Sequence, residues 1–391
     1  MAREMGKPVT QGRAEAEKCA WVCRYYAEHA AEFLADQSID SDREESFTSA
    51  APLGVLLGVM PWNFPLWQVF RFAAPAIMAG NRILLKHASN VPGCAAAIDR
   101  IVSESSGQSD LLAHVTLAGK DVPDLIADDR IAAVSFTGST AAGRKLAAAC
   151  GQHLKKSVLE LGGSDPYLVL EDADLQLAAR TCAKARMINN GQSCIAAKRL
   201  LVAAPVHDDF VDLLRAELAG YEMGDPLDPA TRLGPMARVD LRDELHEQVE
   251  RSLGPTTRLV TGGTIPDGKE AWYPATLVTG VRPGSPLFDQ ETFGPVAAVV
   301  RVNGAKDGVA LANATSFGLG AAIFTEDLDL AHRASKQLKV GTVAINAQVV
   351  SDPRLPFGGT RESGWGRELG HAGITEFINL KTILRENSSI S

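Results

Sequence analysis

Short, fully apolar runs recur through the first half of the chain, each ending near Gly, Pro or a polar turn. They are GVLLGVM from Gly54, RILLK from Arg82, AHVTLAG from Ala113, IAAVSFTG from Ile131 and KSVLELGG from Lys156. Stretches of helical periodicity separate them, including Val91 to Ser106 and Thr140 to Gln152. Apolar strands alternating with helices predict a parallel sheet covered on both faces, a doubly wound α/β fold. A second alternating set begins near Pro166. It runs through YLVL, a helix over Ala173 to Asn189, RLLVAAP, a helix near His207 to Leu218 and a polar helix around Val239 to Leu253, and continues with AAVVRV, LGAAIF and GTVAIN. This predicts a second α/β domain. Ahead of both, Arg13 to Asp36 carries apolar residues at helical spacing and reads as one long amphipathic helix. Ser41 to Pro52 and Ile374 to Leu384 read as strands outside both domains, the kind that pairs with another subunit.

Composition narrows the partners. The chain has 391 residues, 46% of them hydrophobic, with 39 Lys plus Arg against 47 Asp plus Glu and a net charge of -8. Without a long run of either sign it carries no electrostatic footprint for nucleic acid. Every apolar stretch is interrupted by Gly, Pro or charge, so no membrane span is expected, and the chain reads as cytoplasmic. Its six cysteines lack CxxC spacing, which fits reduced thiols better than disulfides or a zinc site, and no metal is expected.

Several constellations can carry chemistry. Asn189-Asn190-Gly191-Gln192-Ser193-Cys194 puts a thiol just after a Gly-containing turn with free backbone N–H groups, a setting that suits a nucleophile. A lone cysteine is more often packing. Glu160-Leu161-Gly162-Gly163 ends an apolar strand with a carboxylate, placed for a general base or for a strand-end salt bridge. Gly138-Ser139-Thr140-Ala141-Ala142-Gly143 joins a strand to a helix, where N–H groups and the helix dipole suit a pyrophosphate. Pro61-Trp62-Asn63-Phe64-Pro65 fixes an amide after a strand, either to stabilise an oxyanion or to cap the following helix.

Taken together these residues resemble the aldehyde dehydrogenase superfamily. The motifs are PWNFP at Pro61 to Pro65, FTGSTAAG at Phe136 to Gly143, ELGG at Glu160 to Gly163 and NNGQSC at Asn189 to Cys194. ETFGP at Glu291 to Pro295 and PFGGTRESGWGRE at Pro356 to Glu368 complete the set. The resemblance implies that Cys194 attacks an aldehyde carbon while the Asn63 amide and the Cys194 N–H hold the oxyanion. Hydride then leaves for a nicotinamide, and Glu160 activates water against the thioester. It further implies that Glu291 and Phe293 position the nicotinamide ribose and ring, that Lys86 binds the adenosine ribose, and that Met60, Pro61, Trp62, Phe136, Gly138, Ser139, Gly143 and Leu161 also line the cofactor site. Three positions past Lys86, Ser89 replaces the carboxylate of strongly NAD-selective relatives. It leaves room for a 2′-phosphate, so NADP is expected to be preferred and NAD tolerated. Residues 1–40 and 53–162 are expected to form the dinucleotide-binding domain, 163–362 the catalytic domain, and 41–52 with 368–388 the strands of a homodimer or homotetramer.

The resemblance is strongest toward bacterial NADP-dependent succinate-semialdehyde dehydrogenases. Arg71, in NFPLWQVFR, matches an arginine that grips the substrate carboxylate in such enzymes, weighed here against an intramolecular salt bridge. Ser351 offers a hydroxyl in the loop before PFGG. A second arginine found shortly before the cysteine in some of these enzymes has no counterpart, since Ile188 stands there and Arg186 is two residues off; a looser grip is expected. Ala196 replaces a second cysteine two residues past Cys194. PWNFP starts at position 61, where the family carries well over a hundred residues ahead of it, so the dinucleotide-binding domain is expected to be N-terminally incomplete. The alternatives are a non-catalytic protein of this fold, an acyl transfer to coenzyme A, which Glu160 argues against, and a dehydrogenase for another small aldehyde. An amino-aldehyde is disfavoured by Arg71.

Overall fold

Four of the five apolar runs of the first half become strands where the hydrophobic pattern places them; of the fifth, AHVTLAG, only Ala113 and His114 lie in a strand and the chain leaves the sheet from Val115. The computed structural model describes residues 1–268 and 270–386, which cluster into two units. The first comprises Glu15–Leu159, Ser351–Phe357 and the chain from Gly366 onward; the second comprises Met1–Ala14, Glu160–Val350 and Gly358–Trp365.

The long N-terminal helix α1 spans Val9–Phe33, a few residues upstream of its expected bounds. It is followed by β1 (Gln37–Ser38), β2 (Glu45–Pro52) and β3 (Val55–Met60). Then come α2 (Trp67–Met78), β4 (Arg82–His87), α3 (Pro92–Ser106), β5 (Leu112–His114), β6 (Ile131–Thr137), α4 (Thr140–Gln152) and β7 (Lys156–Glu160). The central sheet of the first unit runs β7-β6-β3-β4-β5, with β6, β3, β4 and β5 parallel. Leu56 to Met60 of β3 are all buried, as a strand covered on both faces requires. Phe72 of α2 packs edge-on against Phe377 at 5.3 Å between ring centroids, in a core shared with Leu56, Ile83, Leu85 and Ile98.

β2 also pairs antiparallel with β1 and with the C-terminal strand Ile378–Arg385, in register from Ile378 opposite Pro52 to Arg385 opposite Glu45. Arg385 closes the end of this ribbon on Glu44 and Glu45 at 2.9 and 3.0 Å. The two outlying segments read from the sequence thus pair with each other. Residues 387 and 388 of the second lie outside the described residues.

In the second unit the order is β10-β11-β12-β9-β8-β13-β14. The ranges are β8 (Pro166–Val169), β9 (Arg199–Ala203), β10 (Arg258–Thr261), β11 (Thr276–Thr279), β12 (Val296–Val302), β13 (Gly320–Phe324) and β14 (Thr342–Ile345). All neighbours are parallel except β10 on β11. β10 and β11 have no counterpart in the pattern reading. RLVT is a half-exposed edge strand with a bulge, and TLVT is only four residues long. The structure also corrects the placement of the N-terminus, because residues 1–14 cluster with the Cys194 unit and not with the dinucleotide-binding one. Asn190 Nδ2 donates to the Gly6 carbonyl, and the Asn189 N–H donates to Gln11, which ties this segment there.

Candidate active site

The sequence-derived site residues fall into two sets, one in each unit. In the second unit the nucleophile turn is built from three consecutive left-handed residues, Asn189, Asn190 and Gly191, with φ of 53°, 55° and 74°. Asn tolerates this region because its short side chain can bond locally; Gly does so at no steric cost. A Cβ at Gly191 would collide with the backbone of Gly294, so the position is closed to any side chain. Side chains then lock the turn. Asn190 Nδ2 donates to Gly6 O and Pro235 O at 2.8 and 2.9 Å, while its Oδ1 accepts the Gly234 N–H at 2.8 Å. Gln192 Oε1 accepts the Ala237 N–H at 2.9 Å. Arg186 Nη2 donates to the carbonyls of Gly191, Thr292 and Gly294. Arg186 is thus a buried brace for the turn, one of its guanidinium nitrogens serving three backbone carbonyls. Cys194 emerges from this frame half-buried.

Glu160 ends β7 as a buried carboxyl, followed by buried Leu161. The two glycines after it are close-approach positions. A Cβ at Gly163 would lie 2.6 Å from the Cys194 carbonyl, and one at Gly162 would lie 2.5 Å from Glu291 Oε2. Lys198, which the sequence reading passed over, joins these parts. Its Nζ donates to Ser193 O and Cys194 O at 2.9 and 2.6 Å and pairs with Glu291 Oε1 at 3.2 Å. Glu291 Oε1 also accepts the Gly163 N–H at 3.0 Å, and Phe293 lies with its ring 6.0 Å from the same ammonium. Burial pushes the nearby Asp165 carboxyl up to about 7, against the pull of Lys198. The only signal for Lys198 in sequence was its position four residues past the cysteine.

In the first unit the candidate cofactor residues gather at the carboxyl ends of the parallel strands. Met60 closes β3 and leads through Pro61 and Trp62 to Asn63; Lys86 lies near the end of β4, with exposed Ser89 just beyond it. Burial lowers the Lys86 ammonium. Phe136 near the end of β6 precedes Gly138, where a Cβ would sit 2.5 Å from the Phe136 ring, and Ser139 Oγ caps α4 by accepting the Ala142 N–H. Gly143 lies buried on that helix's first turns. A strand end, a glycine against an aromatic ring and the N-terminus of a 13-residue helix form a cradle that fits a dinucleotide. The cap role weighed for Asn63 is filled elsewhere. Glu15 Oε1 accepts the N–H groups of Leu66 and Trp67 at 2.8 and 2.9 Å, at the start of α2, and Asn63 itself is buried.

Arg71 and Ser351 also belong to this unit. Arg71 is 3% exposed and ion-paired through Nε with Glu368, itself 2% exposed. Its Nη2 reaches Thr137 Oγ1 at 3.4 Å, and its guanidinium lies 4.7 Å from the Phe357 ring centroid. Glu368 takes a further contact from Ser135 Oγ, and burial pushes its carboxyl up against the pull of Arg71. Buried Ser351 accepts a hydrogen bond from Lys18 Nζ at 2.8 Å. Glu368 closes the quoted C-terminal motif, yet nothing in the sequence assigned it a partner.

All six cysteines are thiols. Cys19, Cys94, Cys150 and Cys182 are buried, while Cys23 and Cys194 are half-buried. Burial raises Cys150 to about 11, and it raises Cys23 and Cys182 as well.

The model of the aldehyde dehydrogenase family matches residues 1–383. The chain is a member of the aldehyde dehydrogenase family. Its motifs were sufficient for that assignment, and the fold agrees with the α/β architecture expected. Among the curated proteins, a probable succinate-semialdehyde dehydrogenase [NADP(+)] of Synechocystis is 48% identical over 98% of this chain and 84% of its own length. The succinate semialdehyde dehydrogenase [NAD(P)+] Sad of Escherichia coli is 45% identical over 99% of the chain and 84% of its own length. Among solved structures, a succinic semialdehyde dehydrogenase of Streptococcus pyogenes in complex with NADP+ superposes with a TM-score of 0.96 at 34% identity. That match covers 99% of this chain and 85% of the other. No helix among the described residues is long and apolar enough to cross a membrane.

Proposed function

We propose that this aldehyde dehydrogenase oxidises a small aldehyde with a distal carboxylate, succinate semialdehyde first, using NADP in preference to NAD. The observation that carries the reading is the near-full-length identity to relatives so named, in a chain that retains Cys194, Glu160 and Asn63.

The Cys194 thiolate adds to the aldehyde carbon, and the resulting oxyanion accepts hydrogen bonds from the Asn63 amide and the Cys194 N–H. A bound nicotinamide supplies the acceptor for the hydride that leaves this carbon. Glu160 then takes a proton from water as its oxygen attacks the thioester; the carbon–sulfur bond breaks, the acid leaves and the thiol is restored. Lys86, Ser89, Gly138, Ser139 and Gly143, with Glu291 and Phe293, are the residues proposed to hold the dinucleotide, alongside Met60, Pro61, Trp62, Phe136 and Leu161. Lys198 fixes the Cys194 carbonyl and the Glu291 carboxylate together, which supports a shared role for these two residues. Arg71 and Ser351 are proposed for the substrate carboxylate.

The cofactor reading predicts that Ser89→Glu shifts the ratio of kcat/KM for NADP over NAD toward NAD by about tenfold or more, because a carboxylate bonds ribose hydroxyls and repels a 2′-phosphate. An unchanged ratio in paired steady-state assays overturns it. The whole reading is tested by purified protein with NADP and succinate semialdehyde, followed at the reduced-nicotinamide absorbance. Turnover that exceeds that with butanal supports it; no turnover with either aldehyde overturns it. A cytoplasmic homodimer or homotetramer completes the proposal. Six free thiols support the compartment, and the edge strand Ile378–Arg385, with Leu380, Ile383 and Leu384 exposed, supports the assembly.

A further inference from the structure

Lys18 of α1 is a half-buried ammonium that has no carboxylate within 4 Å among the described residues, an unusual condition for a cation taken out of water. The acids near it attract it from a distance and make their direct contacts elsewhere. Glu15 accepts the N–H groups of Leu66 and Trp67, Asp352 holds Arg354 through two hydrogen bonds at 2.9 and 2.7 Å, and Glu368 neutralises Arg71. What Lys18 does touch is uncharged. Its Nζ donates to Ser351 Oγ at 2.8 Å and sits 4.3 Å from the Trp67 ring centroid, an aromatic face that orients the ammonium without cancelling its charge. A hydroxyl that accepts from Lys18 keeps its own proton to donate onward. Arg71, on the same helix as Trp67, adds a second cation on a second aromatic face, that of Phe357. The group is two cations, one hydroxyl donor and two rings, and of the two cations only Arg71 has a carboxylate bonded to it.

We propose that Lys18 is a specificity residue that, with the Ser351 hydroxyl and Arg71, binds the distal carboxylate of the aldehyde. The inference rests on the carboxy-aldehyde reading of the preceding section and deepens it. Because Glu368 already ion-pairs with Arg71, the ammonium left without a bonded carboxylate is that of Lys18. It also supplies the second cation whose absence before Cys194, at Ile188, predicted a looser grip.

The test compares succinate semialdehyde with butanal, which has the same chain length and no carboxylate, at saturating NADP. Lys18→Met is expected to raise KM for succinate semialdehyde about tenfold or more relative to any change in KM for butanal, the scale of a lost charge-assisted hydrogen bond. Lys18→Arg is expected to recover most of that selectivity, which loss of packing on Trp67 alone would not produce. A pH profile supplies a second readout. The groups facing Lys18 are Arg71, Asp352, Cys19 and Glu15, and burial, then repulsion from Arg71, brings the ammonium down to about 8. The charge is present below that pH and lost above it, so the kcat/KM ratio of succinate semialdehyde over butanal should fall as pH rises through 8. In Lys18→Arg the ratio should stay level. Equal effects of Lys18→Met on the two aldehydes overturn the Lys18 assignment while leaving the function intact. Failure of the unsubstituted enzyme to favour the carboxylated aldehyde overturns both.

Discussion

Cys194→Ala is expected to remove aldehyde oxidation, lowering kcat by about 10^4-fold or more, the scale seen when a covalent nucleophile is deleted. The expectation rests on the turn as much as on the thiol. Three left-handed residues in succession, closed at Gly191 and braced by Arg186, Asn190 and Gln192, hold one half-buried sulfur at a fixed place. Removing one sulfur atom from a half-buried position leaves that brace untouched, so the melting temperature should stay close to that of the parent. Steady-state reduction of NADP by matched samples, with calorimetry as the folding control, gives the answer. Residual activity within about tenfold of the parent, against a loss of this expected size, would show that Cys194 is not the nucleophile.

Glu368→Gln is expected to destabilise the first unit by roughly 3–5 kcal/mol, because it strands the Arg71 guanidinium in a buried site with its countercharge gone. For a unit of this size that corresponds to a fall of roughly 10 °C in melting temperature. Ser135 and the Phe357 backbone engage Glu368, while Thr137 and the Phe357 ring engage Arg71. Replacing both partners, as in Arg71→Met with Glu368→Leu, should recover most of the loss, since two apolar groups leave no unpaired charge behind. Calorimetry on the two variants decides the matter. A Glu368→Gln protein as stable as the parent would mean that the pair contributes nothing to folding.

The strand ends and turns that set the chemistry were legible because glycine, proline and apolar runs act locally. Val55 to Met60, Ile131 to Thr137 and Lys156 to Glu160 form where the pattern puts them, and Gly138 and Gly163 sit where a side chain would collide. What stayed hidden depends on distance along the chain. Glu15 caps a helix 51 residues away, Ser351 meets Lys18 across 333, and Glu368 meets Arg71 across nearly 300. No local periodicity records such meetings. Lys18 and Glu368 therefore drew no role from the sequence, and Arg71 could be given a ligand but not its partner. β10 and β11 were missed for the converse reason, since four-residue strands leave too short a pattern to read.

The distribution of thiols makes the protein a one-handled target for soft electrophiles. Four cysteines are buried and the half-buried Cys23 is held in its protonated form by desolvation, so an alkylating reagent applied to the folded chain should mark Cys194 before any other and count competent sites by stoichiometry. The same asymmetry sets a vulnerability. With Ala196 in place of a neighbouring thiol, a sulfenic acid formed on Cys194 by peroxide has no adjacent sulfur to trap it as a reversible disulfide, and further oxidant carries it on to sulfinic acid. How long each molecule keeps working is then governed by the reductants around it.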